Sequence, residues 1–213
     1  CVSEGTYNVD SSLSGTNIII MTEGVSIYGG YQNAGGVWTR NIDIYLSIIN
    51  DMTSISRDFL LCAIFCNFDI TRTTVIDGFH IYSGYGQHVS AIYCNEGSPS
   101  ISNNLISGYS GVNSGNENIG IYCYSGSPVI KNNEIYGGSK HIATCGIFFI
   151  DSLNVNVSDN DISGNYPDSP ASLFSYGINC INTTGEITNN TIFGGENASL
   201  SYGIYLENSN PDI

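Results

Sequence analysis

Positive charge is what this 213-residue chain has least of: five Lys plus Arg stand against 19 Asp plus Glu, a formal charge of −14. A field of that sign repels phosphate backbones and other polyanions, which argues against nucleic acid as a partner. Long apolar runs are missing as well. No stretch approaches the ~20 consecutive apolar residues that a membrane-spanning helix requires, so no membrane span is read. Charged residues of either sign make up only 11% of the chain, and its polar surface must come from Asn, Ser, Thr and Gly rather than from ion pairs. The three histidines, His80, His88 and His141, are scattered without a His-x-His or His-Glu constellation, which gives no support to a transition-metal site. A 3.6-residue apolar period is also lacking, and with it helical repeats of the ankyrin or tetratricopeptide kind.

What the chain has instead is self-similarity. Ile101-Ser-Asn-Asn104-Leu-Ile106 returns as Ile130-Lys-Asn-Asn133-Glu-Ile135, Val157-Ser-Asp-Asn160-Asp-Ile162 and Ile187-Thr-Asn-Asn190-Thr-Ile192. Repetition at such a period means stacked supersecondary units, each closing its core on its neighbours. A second phrase lies between these: Ala63-Ile-Phe-Cys66, Ala91-Ile-Tyr-Cys94, Gly120-Ile-Tyr-Cys123, Gly146-Ile-Phe-Phe149, Gly177-Ile-Asn-Cys180 and Gly203-Ile-Tyr-Leu206. Strand side chains alternate faces, so the Ile and the residue two places on point inward together. A third segment, seen in Ser98-Pro-Ser-Ile101 and Ser127-Pro-Val-Ile130, joins the two phrases. Three short strands per unit of 25 to 31 residues predict an all-β, single-stranded, right-handed parallel β-helix of about seven coils. The whole of 1–213 reads as one domain, with irregular first coils over 1–60, a loop leaving the helix at 32–43, and regular coils over 61–213. Asn tolerates a left-handed corner, and stacked amides can bond along the axis, so Asn104, Asn133, Asn160 and Asn190 are expected to form a ladder that serves the scaffold.

The I-x-N-N-x-I-x-G phrase with its G-I-Y-x strands resembles the parallel β-helix repeats of bacterial and archaeal surface proteins, within the broad pectate-lyase-like group. The likeness covers roughly residues 60 to 213. Glu4-Gly-Thr-Tyr-Asn8, Gly24-Val-Ser-Ile-Tyr-Gly-Gly-Tyr31 and Trp38-Thr-Arg-Asn41 are similar to the first coils of such proteins. The resemblance implies an extracellular or cell-surface location. Within the protruding loop, Trp38 is expected to pack against its own coil.

Of the seven cysteines, Cys66, Cys94, Cys123 and Cys180 share one inward position. They are read as buried free thiols, with Cys66 to Cys94 or Cys94 to Cys123 the only bridges whose spacing suits a disulfide. Four sequons, at Asn156, Asn182, Asn189 and Asn197, accept glycans only in a compartment that glycosylates. Ser209 to Ile213 reads as the second strand of a coil without a third, and Cys1-Val2 starts in strand-like sequence. Open coils present unpaired backbone groups, so the expectation is that the chain is a piece of a longer protein or that its ends are covered by neighbours stacked end to end as a filament.

Polysaccharide-acting enzymes of the pectate-lyase-like group need a base near calcium-holding acids, or two or three carboxylates on one face. The five cations, Arg40, Arg57, Arg72, Lys131 and Lys140, form no such cluster in the sequence. Asp159 and Asp161 flank Asn160 and are the one calcium candidate, read first as a capped and solvated corner. No other metal or cofactor is expected. The outward position between the two inward ones is aromatic in nearly every coil: Phe65, Tyr93, Tyr122, Phe148, Asn179 and Tyr205. That stripe is the candidate ligand-binding surface, for cell-surface glycans or for another copy of the chain, and Tyr82, Tyr136 and Phe193 form a sparser one. The reading is a non-catalytic structural or adhesive β-helix. The alternative is a polysaccharide lyase or glycoside hydrolase working at Asp159, Asp161 or the segment from Trp38 to Asp43.

Overall fold

Short strands with one apolar face, cut by Gly, Asn and Ser-Pro, can bury that face only against copies of themselves. The computed structural model describes residues 1–9, 19–51, 60–108, 116–139, 142–167 and 172–213. There the strands form three parallel sheets of seven strands each and one two-stranded antiparallel ribbon. Among the described residues there is no helix. Arg57, Lys140 and His141 lie outside them.

The three sheets are the three segments of the repeat wound into a β-solenoid. The long sheet holds the strands Leu60–Cys66, His88–Asn95, Glu117–Tyr124, Ala143–Ile150, Phe174–Ile181 and Leu200–Glu207. Ile64, Ile92, Ile121, Ile147, Ile178 and Ile204 pair in unbroken succession across it. The other two sheets carry strands of two to five residues, most of them on either side of the Asn corner, such as Val129–Lys131 and Glu134–Tyr136. The pitch of about 29 residues runs for about five turns, fewer than the seven expected. The step from Ile19 to Ile64 is longer, because the antiparallel ribbon interrupts the first winding.

That ribbon occupies the segment expected as a loop at 32–43. Tyr31–Ala34 pairs with Val37–Arg40 around Gly35-Gly36, whose φ angles of 64° and 89° are the two left-handed positions that a tight two-residue hairpin demands.

Each turn contributes one aliphatic side chain from each sheet to a central prism: Ile121, Ile130 and Ile135 in one turn, Ile147, Val157 and Ile162 in the next, all of them 0% exposed. Burying each of these is worth about 1.5–3 kcal/mol. Beside them runs the column Cys66, Cys94, Cys123, Phe149 and Cys180, fully buried. Cys66, Cys94 and Cys123 are buried free thiols, so neither candidate disulfide is formed. The thiols of Cys66 and Cys94 sit well above the ordinary range, through the next thiol in the column and through burial, and burial takes Cys180 up to about 12. These thiols fill space and stay protonated.

The paired asparagines divide the corner between them. The first residue of each pair, Asn103, Asn132, Asp159 or Asn189, adopts φ of 56° to 57°. The second builds the ladder. Asn104 donates from both its backbone N–H and its Nδ2 to Asn133 Oδ1 at 3.0 Å, Asn133 donates likewise to Asn160 Oδ1, and Asn160 to Asn190 Oδ1. Each Nδ2 also bonds two carbonyls, in Asn133 those of Ile101 and Lys131. Sequence separations of 29, 27 and 30 residues between partners are the repeat itself.

Candidate functional site

The later long strands are bent at a glycine, Gly120, Gly146, Gly177 or Gly203, where the first two have Ala63 and Ala91, and the bend makes their outer face. A Cβ on Gly146 would come within 2.6 Å of Ile162 Cγ2 and 2.7 Å of Gly177 O, so the neighbouring sheet and the next turn close on that position. The ladder register skips this residue: Ile119 pairs with Cys145 and Ile121 with Ile147. As a result the residue before the glycine and the one two places after it both face outward.

The expected stripe is present and takes the form of a ladder. Phe65 and Tyr93 lie 5.5 Å apart between ring centroids, Tyr93 and Tyr122 5.1 Å apart and nearly parallel at 10°, and Tyr122 and Phe148 5.4 Å apart. The rings are half-buried, since each covers a face of the next. Burial, with Tyr93 beside it, raises the Tyr122 phenol to about 12, and burial raises Tyr93 as well. Both are neutral hydrogen-bonding groups, not bases.

Asn179 follows Phe148 in register and ends the ladder. Beyond it Tyr205 belongs to a second group that the repeat phrase did not reveal. Tyr176 stacks on Tyr202 at 5.5 Å, and both meet Tyr205 edge-on at 5.7 and 5.5 Å. The sequence signal was faint: Tyr176 and Tyr202 hold the place just before the bend residue, where other turns have Ser90, Ile119 and Cys145. Between the two aromatic groups lies a niche of about 140 Å³, lined by Phe148, Tyr176, Asn179, Glu117 and their neighbours. At the same rim His88, read from sequence as isolated, places Nδ1 3.1 Å from the Glu117 carboxylate one turn on, with Asn116 at its other nitrogen.

Tyr82, Tyr136 and Phe193 share a column in which Ser107 and Ser163 alternate with them, so they do not touch one another. Tyr136 packs on Tyr166 instead, at 5.1 Å.

Among the described residues, Arg40 and Arg72 are engaged in the scaffold. Arg40 pairs with the carboxylate of Asp77, donates to Gly29 O at 3.0 Å and lies 5.7 and 5.5 Å from the rings of Tyr28 and Tyr31. Burial would raise Asp77. Hydrogen bonds from Ser102, Arg40 and Asn103 and the Arg40 charge outweigh it and hold the carboxyl below its ordinary value. This contact pins the hairpin to the coil. Trp38, expected against the coil, is 48% exposed and meets Tyr31 edge-on within the hairpin at 6.2 Å. Arg72 spans two turns to the carbonyls of Ser127 and Asn154 at 2.9 and 2.6 Å. Glu23 ties the first winding to the second: hydrogen bonds from the Thr71 side chain and backbone and from Thr74 bring its carboxyl down to about 2.

Asp159 and Asp161 are placed on the Asn corner. Asp159 holds the left-handed corner position and lies 3.6 Å from Lys131 Nζ, and Asp161 stands in register beside Glu134. Among the described residues no three His, Cys, Asp or Glu side chains converge on a point that would hold a metal ion. No protein-family profile, curated protein or solved structure matches the chain.

Proposed function

We propose that the protein is a non-catalytic β-helix of the extracellular or cell-surface kind, in the broad pectate-lyase-like style, and that the outer face of its long sheet is an adhesive surface for glycans. The observation that carries this reading is the collection of seven rings on one face: Phe65, Tyr93, Tyr122, Phe148, Tyr176, Tyr202 and Tyr205. Amphipathic rings with few charges around them suit neutral, hydroxyl-rich partners, whose C–H faces and hydroxyls both find a match. Engagement of Arg40 and Arg72, two of the three cations among the described residues, in scaffold contacts supports the non-catalytic half, because a lyase base must be free to reach its substrate.

The test is binding and turnover against immobilised polyuronates and neutral glycans, with and without calcium. Retention without product release is the expected result, abolished in the Tyr93→Ser/Tyr122→Ser double variant, whose far-ultraviolet spectrum keeps its β signature. Product release would make the protein a lyase or hydrolase, and unchanged retention by the double variant would remove the face from the reading. Light scattering over a dilution series reports the competing use of the same rings, lateral or end-to-end contact between copies.

A further inference from the structure

Two pairs of phenols on the outer face are held side by side on neighbouring turns. Tyr93 and Tyr122 are direct partners across the long sheet, with ring centroids 5.1 Å apart and planes 10° from parallel. Tyr176 and Tyr202 repeat the arrangement further along the same face, at 5.5 Å and 9°. All four rings are partly exposed. Parallel strands in register point their side chains the same way, so the hydroxyl ends of each pair lie together. The ionisation behaviour agrees: after burial, the cause acting most strongly on Tyr122 is Tyr93, and on Tyr176 it is Tyr202, each raising its neighbour.

Rings so placed can be joined. Aromatic centroids 4.5–7 Å apart suit stacked and edge-on arrangements alike, so each ring can turn about its Cβ–Cγ bond and bring the carbon beside its hydroxyl toward its partner while the strands stay paired. The inner column offers no such tie, since Cys66, Cys94 and Cys123 are buried free thiols. Among the described residues, covalent closure between turns is open to the outer phenols instead.

We infer that Tyr93 with Tyr122, and Tyr176 with Tyr202, are sites of oxidative cross-linking, where a dityrosine bond staples one turn of the solenoid to the next. The oxidant is hydrogen peroxide acting through a haem peroxidase. It takes one electron and one proton from each phenol, and the two radicals couple at the ring carbons adjacent to their oxygens. The hydrogen on each of those carbons then moves to the oxygen, which restores both hydroxyls. Two tyrosines have lost two hydrogen atoms in all, and one peroxide has become two waters. A cross-link of this kind removes freedom from the unfolded chain as a disulfide does, and so raises stability. The inference does not depend on the glycan reading of the same face.

The chain has 15 tyrosines, so the test must locate the bond. Dilute protein is treated with a haem peroxidase and limiting hydrogen peroxide, and the monomer band is analysed by dityrosine fluorescence, intact mass, peptide mapping and a thiol count after unfolding. Tyr93→Phe and Tyr176→Phe keep each ring in its stack and remove its phenol. The expected product is a monomer two hydrogen atoms lighter for each bond, with Tyr93 linked to Tyr122 and Tyr176 to Tyr202. Each single variant should lose its own link alone. The double variant should lose nearly all of the fluorescence, and oxidation should raise the urea midpoint of the wild type but not of the double variant. Undiminished dityrosine in the double variant would assign the bond to other tyrosines and overturn the inference. Dityrosine confined to dimer bands would overturn it in favour of contact between copies, and loss of thiols without dityrosine would show the radicals draining into the cysteine column. A mapped link that leaves the urea midpoint unmoved would refute the staple.

Discussion

Asn133 and Asn179 sit in adjacent parts of one rod and are used in opposite ways. Asn133 is one member of a column found at every Asn corner, 3% exposed, with each amide atom bonded along the axis or to a carbonyl. Asn179 occurs once in its column, interrupts a run of rings and keeps its carbonyl oxygen unbonded among the described residues. The same residue type is scaffold in the first place and a departure from the scaffold in the second. What repeats in a solenoid is read as stacking, because each turn needs the same closure, and what occurs once has no such explanation.

The sharpest way to break that comparison is to delete both amides. Asn133→Ala removes the acceptor that serves the Asn104 backbone and side chain and takes a donor from the carbonyls of Ile101 and Lys131, the second of which keeps only the Asn103 N–H at 3.3 Å. We expect a loss of about 4 kcal/mol, the sum of several buried polar groups left unpaired. Asn179→Ala deletes one buried acceptor that has no donor and should leave the unfolding free energy in urea unchanged or raise it, by up to about 1–3 kcal/mol. Equal losses for the two would show that Asn179 is scaffold after all.

A feature used once for structure should fall between these limits. Arg40→Leu breaks the contact that seats the hairpin and leaves Asp77, with a side chain 7% exposed, without its charge partner. A loss of about 2 kcal/mol at pH 7 is expected. Its pH dependence carries the signature. Asp77 is held below its ordinary value, so it binds its proton more weakly folded than unfolded. Its contribution is complete above an unfolded carboxyl pKa of about 3.9 and disappears as the pH falls through the depressed folded value. Glu23, lowered from 4.5 to about 2, adds a loss of the same sign over that range. Chemical denaturation at pH 7, 4 and 2.5 should show the difference between wild type and Arg40→Leu shrinking with acid. A constant difference would mean that Arg40 acts through its stacking on Tyr28 and Tyr31 rather than through Asp77.

The parallel solenoid was legible because its cause is periodic: the Ile ladder, the Asn corner and the thiol column each announce themselves once per turn. Phe65, Tyr93, Tyr122 and Phe148 were legible for the same reason, as residues displaced by one from an inward Ile. The hairpin was read as a loop although Ala34-Gly-Gly-Val37 marks a two-residue turn, because it obeys a local rule inside a chain whose dominant rule is the repeat. The niche was hidden for a geometric reason. Strict alternation would put Tyr176 and Ile178 on the same face, and only the bend at Gly177, where a Cβ would lie 2.6 Å from Gly203 O, turns Tyr176 outward to join Asn179 and Tyr205. The His88 to Glu117 pair was hidden likewise, since 29 residues separate partners that lie on adjacent strands.

The smallest effect separates two jobs within the repeated corner itself. Asn132 holds φ of 56°, and Asn133 beside it carries the ladder. If the first position exists only to turn the chain, its side chain is replaceable by the absence of one. Glycine reaches the left-handed region without a Cβ clash, whereas alanine is disfavoured there by about 1–2 kcal/mol. Asn132→Ala should therefore cost about 1 kcal/mol, and Asn132→Gly less than half of that, in equilibrium urea unfolding. A glycine variant as unstable as the alanine one would assign the Asn132 side chain a contact of its own, and the corner would then depend on both asparagines rather than on one conformation and one amide.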